Sequence, residues 1–526
     1  MEKGKKFNII AEICFPLIIA AFVVTGRSIN NYHSLFGITS APFESLLVFL
    51  AVFFPGLVVF LLLGRKLGRK TESAEEERKN FYNSLPVITF LFVTLTGIVA
   101  LLSFFPGILG YDSEWQTLQA YDLLPLSNHH PVLHTLIWNL FIAFEWLGLP
   151  HPYGLVLYCM MQVVAVGIVC SYVVLSEIRE GCKWPVMIIT MLFYGLYPAF
   201  SVFSVEMTKD VLFSCVVVLL FLSLMKTDRK KVHPVKICIL VILGCLLRNN
   251  FLPAACGLVV FLLVSMKRKK NPKLLIASFT GVVLSVITLS VIYPAAGVAS
   301  TESHEILSVP VNQLSAVYVH RYDQLSIAER FLIEEYMEAG RYNPRLADSV
   351  KFTFADDLYD SDTSAFWDLY FHLLYKYPDE FINAFLTQNV QLWYPGAAVF
   401  DKYAARKYVE TENVFVGAYP VVRNSKLPGL AFIYEDIFTR IENGGVIEAL
   451  PFSLAIPFYT MILGMFIAIK RKRHGFGAAV FMALCLWGTY LLGPVSAFRY
   501  MYPFFLLIPV IVTPLFSHEK SYVKEA

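Results

Sequence analysis

Acidic and imidazole side chains gather in one short stretch of this 526-residue chain. Asp112 and Glu114 follow closely on a long apolar run, and the pair His129 and His130 comes a short way further along the chain. Carboxylate and imidazole groups can accept or donate a proton, or orient a polar group, during catalysis. A single polar residue at the end of a membrane span is more often merely interfacial, but several ionisable groups together there suggest a functional site. The stretch therefore predicts chemistry on a molecule that the membrane presents.

A second set of polar residues, three of them basic, lies at the ends of other apolar runs. Its members are Lys209, Asp210, Arg248, Arg499 and Tyr500. An arginine at membrane depth needs an anionic partner or a water-filled cavity, so we expect Arg248 to bind a phosphate group or Asp112. For Lys209, an ion pair with Asp210 or Glu206 is an equal alternative to binding an outside anion.

Structural explanations compete with the chemical ones at these positions. Asp112 could cap a helix or close a turn, and Glu114, two positions on, would point elsewhere on a helix and face solvent. His134 follows His130 at the i, i+4 spacing of a zinc site, but the accompanying glutamate of the zinc-protease motif and a third ligand are absent. A divalent metal is conceivable but unsupported, so we predict no cofactor. We expect the histidines to position a bound group or to cap a helix.

The composition defines the class of protein in which these residues stand. Hydrophobic residues make up 57% of the chain and charged residues only 16%, and the mean hydropathy is +0.60. These values exclude an ordinary soluble domain and predict an integral membrane protein whose first partner is the lipid bilayer. The formal net charge of +3 is too small to indicate a nucleic-acid partner.

Apolar windows along the sequence predict the elements that position the polar residues. They begin near Ile9, Leu46, Pro86, Tyr153, Pro185, Val211, Ile237, Phe251, Leu274, Leu454, Phe476 and Tyr500. Because the bilayer leaves no water for unpaired backbone groups, we predict an all-α polytopic membrane protein with about twelve transmembrane helices. The windows at Ile237 and Phe251 are short, so they predict a broken or partly re-entrant pair around Arg248.

Basic clusters predict the orientation of these helices. They occupy residues 3–6, 65–70, 226–236, 267–273 and 470–473. The positive-inside rule places all five in the cytoplasm, provided that the apolar segment 132–147 does not cross the membrane. We therefore expect a cell-membrane protein with both termini cytoplasmic and the ionisable residues near the external side. Segment 132–147 is predicted to be a surface helix, begun at Pro131 and broken at residues 148–150, with one apolar face buried. That face consists of Leu133, Ile137, Leu140, Phe141 and Phe144.

The polar stretches divide the chain into three predicted parts. Residues 1–293 form a transmembrane module that contains the first external loop at 106–150, which we expect to be catalytic. Residues 294–450 form an extracytoplasmic, mainly helical mixed domain, and residues 451–526 return to the membrane. Within the middle part, segments 326–339 and 364–375 have helical periodicity.

Several of these features together resemble the GT-C superfamily of integral-membrane glycosyltransferases. They are the external loop with Asp112, the Lys209-Asp210 turn, the broken pair at Arg248, the late Arg499-Tyr500, and many spans ahead of an external domain. More closely, the run from Tyr111-Asp112-Ser113 to His129-His130-Pro131 resembles a bacterial multi-pass membrane family of unknown function.

The resemblance implies an inverting transfer of a sugar from a polyprenyl-phosphate-linked donor to a cell-envelope polymer, lipid or protein. It implies catalytic roles for Asp112, His129 and His130. Donor-phosphate binding is implied for Lys209, Arg248, Arg499 and Tyr500, with Glu114 and Asp210 as possible accessory residues. A transporter or flippase of lipid-linked glycans is the alternative, because its translocation path could use the same cations.

Overall fold

The computed structural model describes residues 2–68, 79–229, 232–266, 271–397, 419–443 and 450–517. Within them, seven helices are long and apolar enough to cross a membrane: Ile9–Tyr32, Pro42–Leu67, Tyr82–Ser103, Tyr153–Arg179, Lys209–Asp228, Pro272–Ala295 and Phe498–Leu515. The protein is therefore a multi-pass, predominantly helical membrane protein, as predicted. Of the basic clusters used for orientation, residues 69–70, 230–231 and 267–270 lie outside the described part of the chain.

The first half of the chain forms a bundle of helices with two short strands between them. In order these are α1 (Glu2–Tyr32), α2 (Phe36–Ser40), α3 (Pro42–Gly68), α4 (Lys79–Ser103), β1 (Ile108–Leu109), α5 (Tyr111–Ala120), α6 (Val132–Trp146), α7 (Tyr153–Arg179), α8 (Trp184–Leu196), α9 (Pro198–Phe203), β2 (Glu206–Met207), α10 (Lys209–Met225), α11 (Pro234–Leu247), α12 (Phe251–Ser265), α13 (Pro272–Ile287) and α14 (Tyr293–Ala295). Between α13 and α14 the chain forms one π-helical segment, Thr288–Ile292.

The second half adds a helical unit and the last membrane helices. The helices are α15 (Ser308–His320), α16 (Ile327–Tyr336), α17 (Asp348–Lys351), α18 (Asp356–Ser361), α19 (Thr363–Lys376), α20 (Pro378–Asn389), α21 (Pro428–Asn443), α22 (Ile456–Arg471), α23 (His474–Tyr490) and α24 (Phe498–Val512). Residues 398–418 and 444–449 of the predicted external domain lie outside the described residues.

Seven of the twelve predicted spans coincide with the seven long apolar helices. The other five fall on α8, α11, α12, α22 and α23, which have 13 to 17 residues. Helices of this length extend at most about 26 Å, less than the thickness of a bilayer core. The structure therefore does not confirm the count of twelve. It confirms the break at Arg248, which ends α11 with an extended backbone before α12 begins.

Helix α10 lies at the centre of the bundle. Nearly every side chain of its 17 residues is buried, as expected for a helix that is apolar on all sides. Helices α7, α11, α23 and α24 pack around it, and their apolar side chains form one continuous core. The first residue of α10 is Lys209, so the packing of the whole bundle determines where that ammonium group lies.

The face that α6 buries differs from the predicted one. Leu140 and Phe144 are exposed, and Leu133, Ile137 and Phe141 are only partly buried. The buried side instead carries Val132, His134, Thr135, Trp138 and Ile142. The reason is that a helix beside lipid gains nothing by hiding its apolar side chains, whereas its polar groups need partners inside the protein. The predicted bounds of the helix are confirmed.

Residues 303–389, which we call the helical unit, have a hydrophobic core of their own. It consists of apolar side chains between Leu307 and Phe381. Helix α16 begins with a capping box in which Ser326 and Glu329 bond each other's backbone N–H groups. Helices α16 and α19 confirm the helical segments predicted at 326–339 and 364–375.

Candidate functional site

A pair of two-residue parallel strands brings the two halves of the site together. Ile108 pairs with Glu206, and Leu109 pairs with Met207. Each strand is followed after one residue by a helix, which is α5 after Gly110 and α10 after Thr208. Because parallel strands run in the same direction, the two helices begin side by side. Asp112 and Lys209 therefore meet although they lie far apart in the sequence.

The junction requires small or hydrogen-bonding residues. A Cβ atom at Gly110 would lie 2.5 Å from Oε1 of Glu206, so a larger residue there would require the Glu206 side chain to move. The hydroxyl of Ser113 donates to the Met207 carbonyl across the strand pair, with 2.8 Å between the oxygens. The hydroxyl of Thr208 accepts from the Asp210 N–H and caps α10. These contacts fix the first turns of both helices relative to each other.

Asp112 lies between two cations. Its Oδ2 accepts from Nζ of Lys209 at 2.8 Å and from Nη1 of Arg499 at 3.1 Å. Burial raises the pKa of this carboxyl group, but the charges of Arg499 and Lys209 outweigh burial and hold the pKa well below its usual value. Asp112 is therefore ionised at neutral pH. This arrangement answers the question left open for Lys209, whose carboxylate partner is Asp112 and not Asp210 or Glu206.

His130 lies against the same ammonium group. Its Nδ1 is 3.5 Å from Nζ of Lys209, and because an ammonium group only donates, Nδ1 must be the acceptor and Nε2 must carry the proton. Burial and the charge of Lys209 lower the pKa of His130 well below its usual value, so the ring is neutral. Among the described residues, the buried Nε2 has no hydrogen-bond partner.

Arg248 pairs with Asp210, the second residue of α10, and not with Asp112 as expected. Its guanidinium also lies over the rings of Tyr490 and Tyr500, at 5.0 Å and 4.6 Å from their centroids. The two rings stack on each other at 5.4 Å. The Asp112 alternative was wrong because helical geometry turns Asp210 away from Lys209 and toward α11 and α12; the phosphate alternative stays a prediction. Its premise, that a buried arginine needs an anion, holds.

Arg499 and Tyr500 connect the two ion pairs. Nη2 of Arg499 donates to the Tyr500 hydroxyl at 3.3 Å, and the Arg499 guanidinium lies 5.1 Å from the Tyr500 ring centroid. Tyr500 thus contacts both Arg499 and Arg248. The structure brings together most of the predicted set, namely Asp112, His130, Lys209, Asp210, Arg248, Arg499 and Tyr500.

Three predicted residues behave differently from the expectation. His129 pairs with Glu302, the residue before the helical unit, at 3.2 Å. Glu114 is only 3% exposed, so the expectation of a solvent-facing side chain is wrong; the first turn of α5 packs into the protein and takes Glu114 with it. His134 uses both ring nitrogens, Nδ1 toward Gln116 at 2.9 Å and Nε2 toward Tyr158 at 2.6 Å.

The described part of the chain offers no set of ligands for a metal ion. No three histidine, cysteine, aspartate or glutamate side chains gather there in a way that could hold a metal ion. Residues 356–368 of the helical unit are rich in aspartate, and of these Asp356 pairs with His304 at 2.6 Å. Asp362 caps the first turn of α19.

Sequence reasoning missed two asparagines beside the cluster. Nδ2 of Asn249 donates to the Asn128 carbonyl at 2.9 Å. The side-chain oxygen of each is buried and has no partner among the residues that the structure describes. Buried polar atoms of this kind usually bind water or a ligand. Their positions in the sequence could have indicated them as site residues, since Asn249 follows Arg248 in the helix break and Asn128 precedes His129.

The cluster combines side chains that are required for the transfer of a polar group from a phosphate to a hydroxyl group. The carboxylate of Asp112 can accept a hydrogen bond from a hydroxyl group and take up its proton. Lys209 and Arg499 can stabilise negative charge on a phosphate oxygen. The amide oxygens of Asn128 and Asn249 can accept hydrogen bonds from a hydroxyl-rich molecule.

Comparison with known proteins places the chain in a family. Neither the curated proteins nor the solved structures contain a match. A family model described as a family of unknown function, DUF6020, matches residues 121–526. The matched part contains His130, Lys209, Arg248 and Arg499, whereas Asp112 lies before it. Because this match covers far more than half of the chain, the protein belongs to the DUF6020 family of unknown function.

Proposed function

We propose that this protein is an inverting membrane glycosyltransferase of the GT-C type. It transfers a sugar from a polyprenyl-phosphate-linked donor to a cell-envelope polymer, lipid or protein at the external face of the cell membrane. The observation that carries the proposal is the position of Asp112, whose carboxylate is bonded by both Lys209 and Arg499. A buried acid between two cations is suited to a reaction in which one partner loses a proton and the other leaves as an anion.

Asp112 acts on the acceptor. It accepts a hydrogen bond from the acceptor hydroxyl group and orients its oxygen toward the anomeric carbon of the donor sugar. The new carbon–oxygen bond forms as the bond from the anomeric carbon to the phosphate oxygen breaks, and the phosphate keeps the electron pair. The hydroxyl proton passes to Asp112. Attack from the side opposite the phosphate inverts the anomeric centre.

Lys209 and Arg499 act on the donor. An ammonium and a guanidinium group hold phosphate oxygens by charge-assisted hydrogen bonds and stabilise the charge that the leaving group gains. The same two cations lower the pKa of Asp112. As Lys209 and Arg499 bond to the charge that develops on the phosphate, their interaction with Asp112 weakens. The basicity of Asp112 therefore rises at the step in which it takes up the proton.

Arg248 supports this arrangement in the proposed mechanism. Its ion pair with Asp210 anchors the first turn of α10, on which Lys209 is the neighbouring residue. Tyr500, in contact with Arg248 and Arg499, keeps the two guanidinium groups apart. We therefore assign Arg248 and Tyr500 to positioning the donor-phosphate site.

The surroundings fit a lipid-linked donor and a large acceptor. Helix α6, which begins two residues after His130, presents exposed Leu136, Leu140 and Phe144, and an apolar surface of this kind suits a hydrocarbon chain. The helical unit holds the segment that leads to Arg499, since the Ala347 N–H donates to the Pro494 carbonyl at 2.8 Å. A domain that contacts the site in this way could select the acceptor.

Reconstitution of the purified protein distinguishes a transferase from a transporter. The protein in liposomes is given polyprenyl-phosphate donors that carry different radiolabelled sugars, together with a membrane extract as acceptor. A transferase moves label into a fraction that resists mild acid, which cleaves sugar phosphates. Label that only changes its side of the bilayer, still linked to the polyprenyl phosphate, contradicts the proposal and indicates a transporter.

A further inference from the structure

The end of the bundle opposite Asp112 carries basic side chains around one phenol ring. Helix α10 begins at Lys209 beside Asp112 and ends at Met225, so Lys226 lies about 25 Å along the helix axis from the candidate site. Tyr172 of α7 lies at this far end, and Lys226 donates a hydrogen bond to its hydroxyl. The positive-inside rule predicts that this end of the bundle faces the cytoplasm.

Three cations from three parts of the bundle meet at Tyr172. Nζ of Lys226, which follows α10, lies 4.4 Å from the ring centroid, and Nζ of Lys236 on α11 lies 5.3 Å from it. The two ammonium groups are therefore at most about 10 Å apart, which is close enough for them to repel each other. Arg179, in the last turn of α7, forms a hydrogen bond with the Tyr172 hydroxyl. We call these four residues the Tyr172 cluster.

No carboxylate of the described residues neutralises the three cations. Glu180 and Asp228 lie close to the cluster in the sequence, but both pair with Arg473, at 2.8 Å and 3.3 Å. Like charges that gather without a counter-ion destabilise a structure, and the low dielectric constant beside a membrane strengthens their repulsion. The cluster therefore needs an anion from outside the described part of the chain.

The hydrogen-bonding capacity of Tyr172 matches an anionic oxygen. A tyrosine hydroxyl can accept hydrogen bonds and has one hydrogen to donate. Lys226 and Arg179 have only donors, so the hydroxyl accepts from both. The phenol hydrogen remains, and no described residue accepts it. A phosphate oxygen suits this position, because it can accept from the phenol and from ammonium and guanidinium groups together.

Exposed apolar side chains continue from the cluster along the bundle. Ile168 lies one turn before Tyr172 on α7 and is 53% exposed, and Ile239 lies one turn after Lys236 on α11 and is 50% exposed. Residues at this spacing share a face of their helix. Because α7 runs toward this end of the bundle and α11 runs away from it, both isoleucines lie deeper in the membrane than the cations. A cationic group at the surface and an apolar face below it are the two parts of a phospholipid site.

We propose that the Tyr172 cluster binds the phosphate headgroup of an anionic phospholipid, whose acyl chains lie along α7 and α11. Basic pockets between membrane helices bind acidic headgroups at the cytoplasmic surface of membranes. The exposed isoleucines favour a lipid over a free phosphate ion, which has no use for an apolar face. The bound lipid joins α7 and α11 to the end of α10, the helix that begins with Lys209. The site is independent of the sugar transfer at the opposite end.

Native mass spectrometry of the purified full-length protein in a nonionic detergent measures this binding. The probe is dioleoylphosphatidylglycerol, and dioleoylphosphatidylcholine has the same acyl chains but no net charge. We expect the protein to bind phosphatidylglycerol at least about tenfold more tightly, since each basic side chain at a membrane surface adds to the attraction. Inorganic phosphate at the same concentration should neither bind nor displace the lipid, because it has no acyl chains.

Variants distinguish the cluster from a general positive surface. Lys236→Gln should weaken phosphatidylglycerol binding about fivefold. Tyr172→Phe keeps the ring and all three cations but removes the phenol hydrogen, and it should weaken binding by a similar factor of about five. Lys273→Gln is the matched control, because Lys273 is exposed in the first turn of α13 at the same end of the bundle. It loses the same charge and should bind as the wild type does.

Three results would overturn the proposal. Equal binding of the two lipids by the wild type would indicate another counter-ion, for which the acidic residues 75–77 are available. Equal losses in Lys236→Gln and Lys273→Gln would reduce the cluster to a part of a positive surface. Displacement of the lipid by inorganic phosphate would assign the site to a free anion. If Lys236→Gln fails to fold, the comparison of lipids in the wild type and the result for Tyr172→Phe still decide.

Discussion

Lys209 donates a hydrogen bond to Asp112 across 97 positions of the sequence, with 2.8 Å between Nζ and Oδ2. The two side chains stand on the first turns of α5 and α10, which the pairing of β1 with β2 places next to each other. Because α10 is the buried centre of the bundle, the position of this ion pair depends on the packing of the entire membrane part.

Removal of the Arg248 side chain should destabilise the fold. In Arg248→Met, the Asp210 carboxylate stays buried without its cation, and breaking a buried ion pair in this way typically costs about 3–5 kcal/mol. We expect a marked decrease in the thermal unfolding temperature in detergent. The double variant Arg248→Met with Asp210→Leu removes both charges and should recover most of the loss. Equal instability of the single and double variants would show that the charge of Asp210 is not the cause.

The helical unit should lose stability as the pH rises above the ordinary histidine range. His304 pairs with Glu305 at 3.2 Å and with Asp356 at 2.6 Å. The hydrogen bond to Glu305 raises the pKa of His304, burial opposes it, and Asp356 raises it further. A raised pKa stabilises the folded state fully below about pH 6.5 and ceases to do so as the pH passes the raised value.

Hydrogen exchange of α18 and of residues 303–305 measures this effect. Protection should decrease as the pH rises above about 6.5 in the wild type and should change little in His304→Gln. The control His372→Gln alters another histidine of the same unit and should follow the wild type. A wild-type profile without any decrease would rule out His304 as the stabilising cation.

The exposed face of α6 should contact lipid. A fluorophore on Leu140→Cys should be quenched by brominated lipids, because Leu140 is 59% exposed on a helix too short to cross a bilayer. The same label on Asp122→Cys, in the polar loop before α6, should be quenched by aqueous iodide. Iodide quenching at position 140 as strong as at 122 would place that face in water.

The class of protein and the approximate starts of the long apolar helices could be predicted because hydropathy is a local property of the sequence. The long apolar runs and the break around Arg248 needed no knowledge of packing. The gathering of Asp112, Lys209 and Arg499 in one layer was predicted from charge placement, since residues at the same ends of neighbouring spans lie at similar depths.

The partners of these residues could not be predicted because they depend on tertiary geometry. Strands of two residues, such as β1 and β2, have no periodicity that a sequence reveals, yet they pair Asp112 with Lys209. The Asp112 alternative for Arg248 failed because the carboxylate that pairs with it is Asp210, the residue after Lys209 on α10. For α6, the apolar face was expected inside, as in a soluble protein, whereas beside lipid the polar face is buried.

The most direct test of the central claim is sugar transfer by Asp112→Asn. The change keeps the size of the side chain and removes the carboxylate, so label transfer from the polyprenyl-phosphate donor should fall about a hundredfold or more. Asp122→Asn is the matched control, because Asp122 is exposed and has a positive φ of 56° that asparagine tolerates. The control should transfer sugar at the wild-type rate. Unchanged turnover in Asp112→Asn would contradict the proposed role of Asp112 in the reaction.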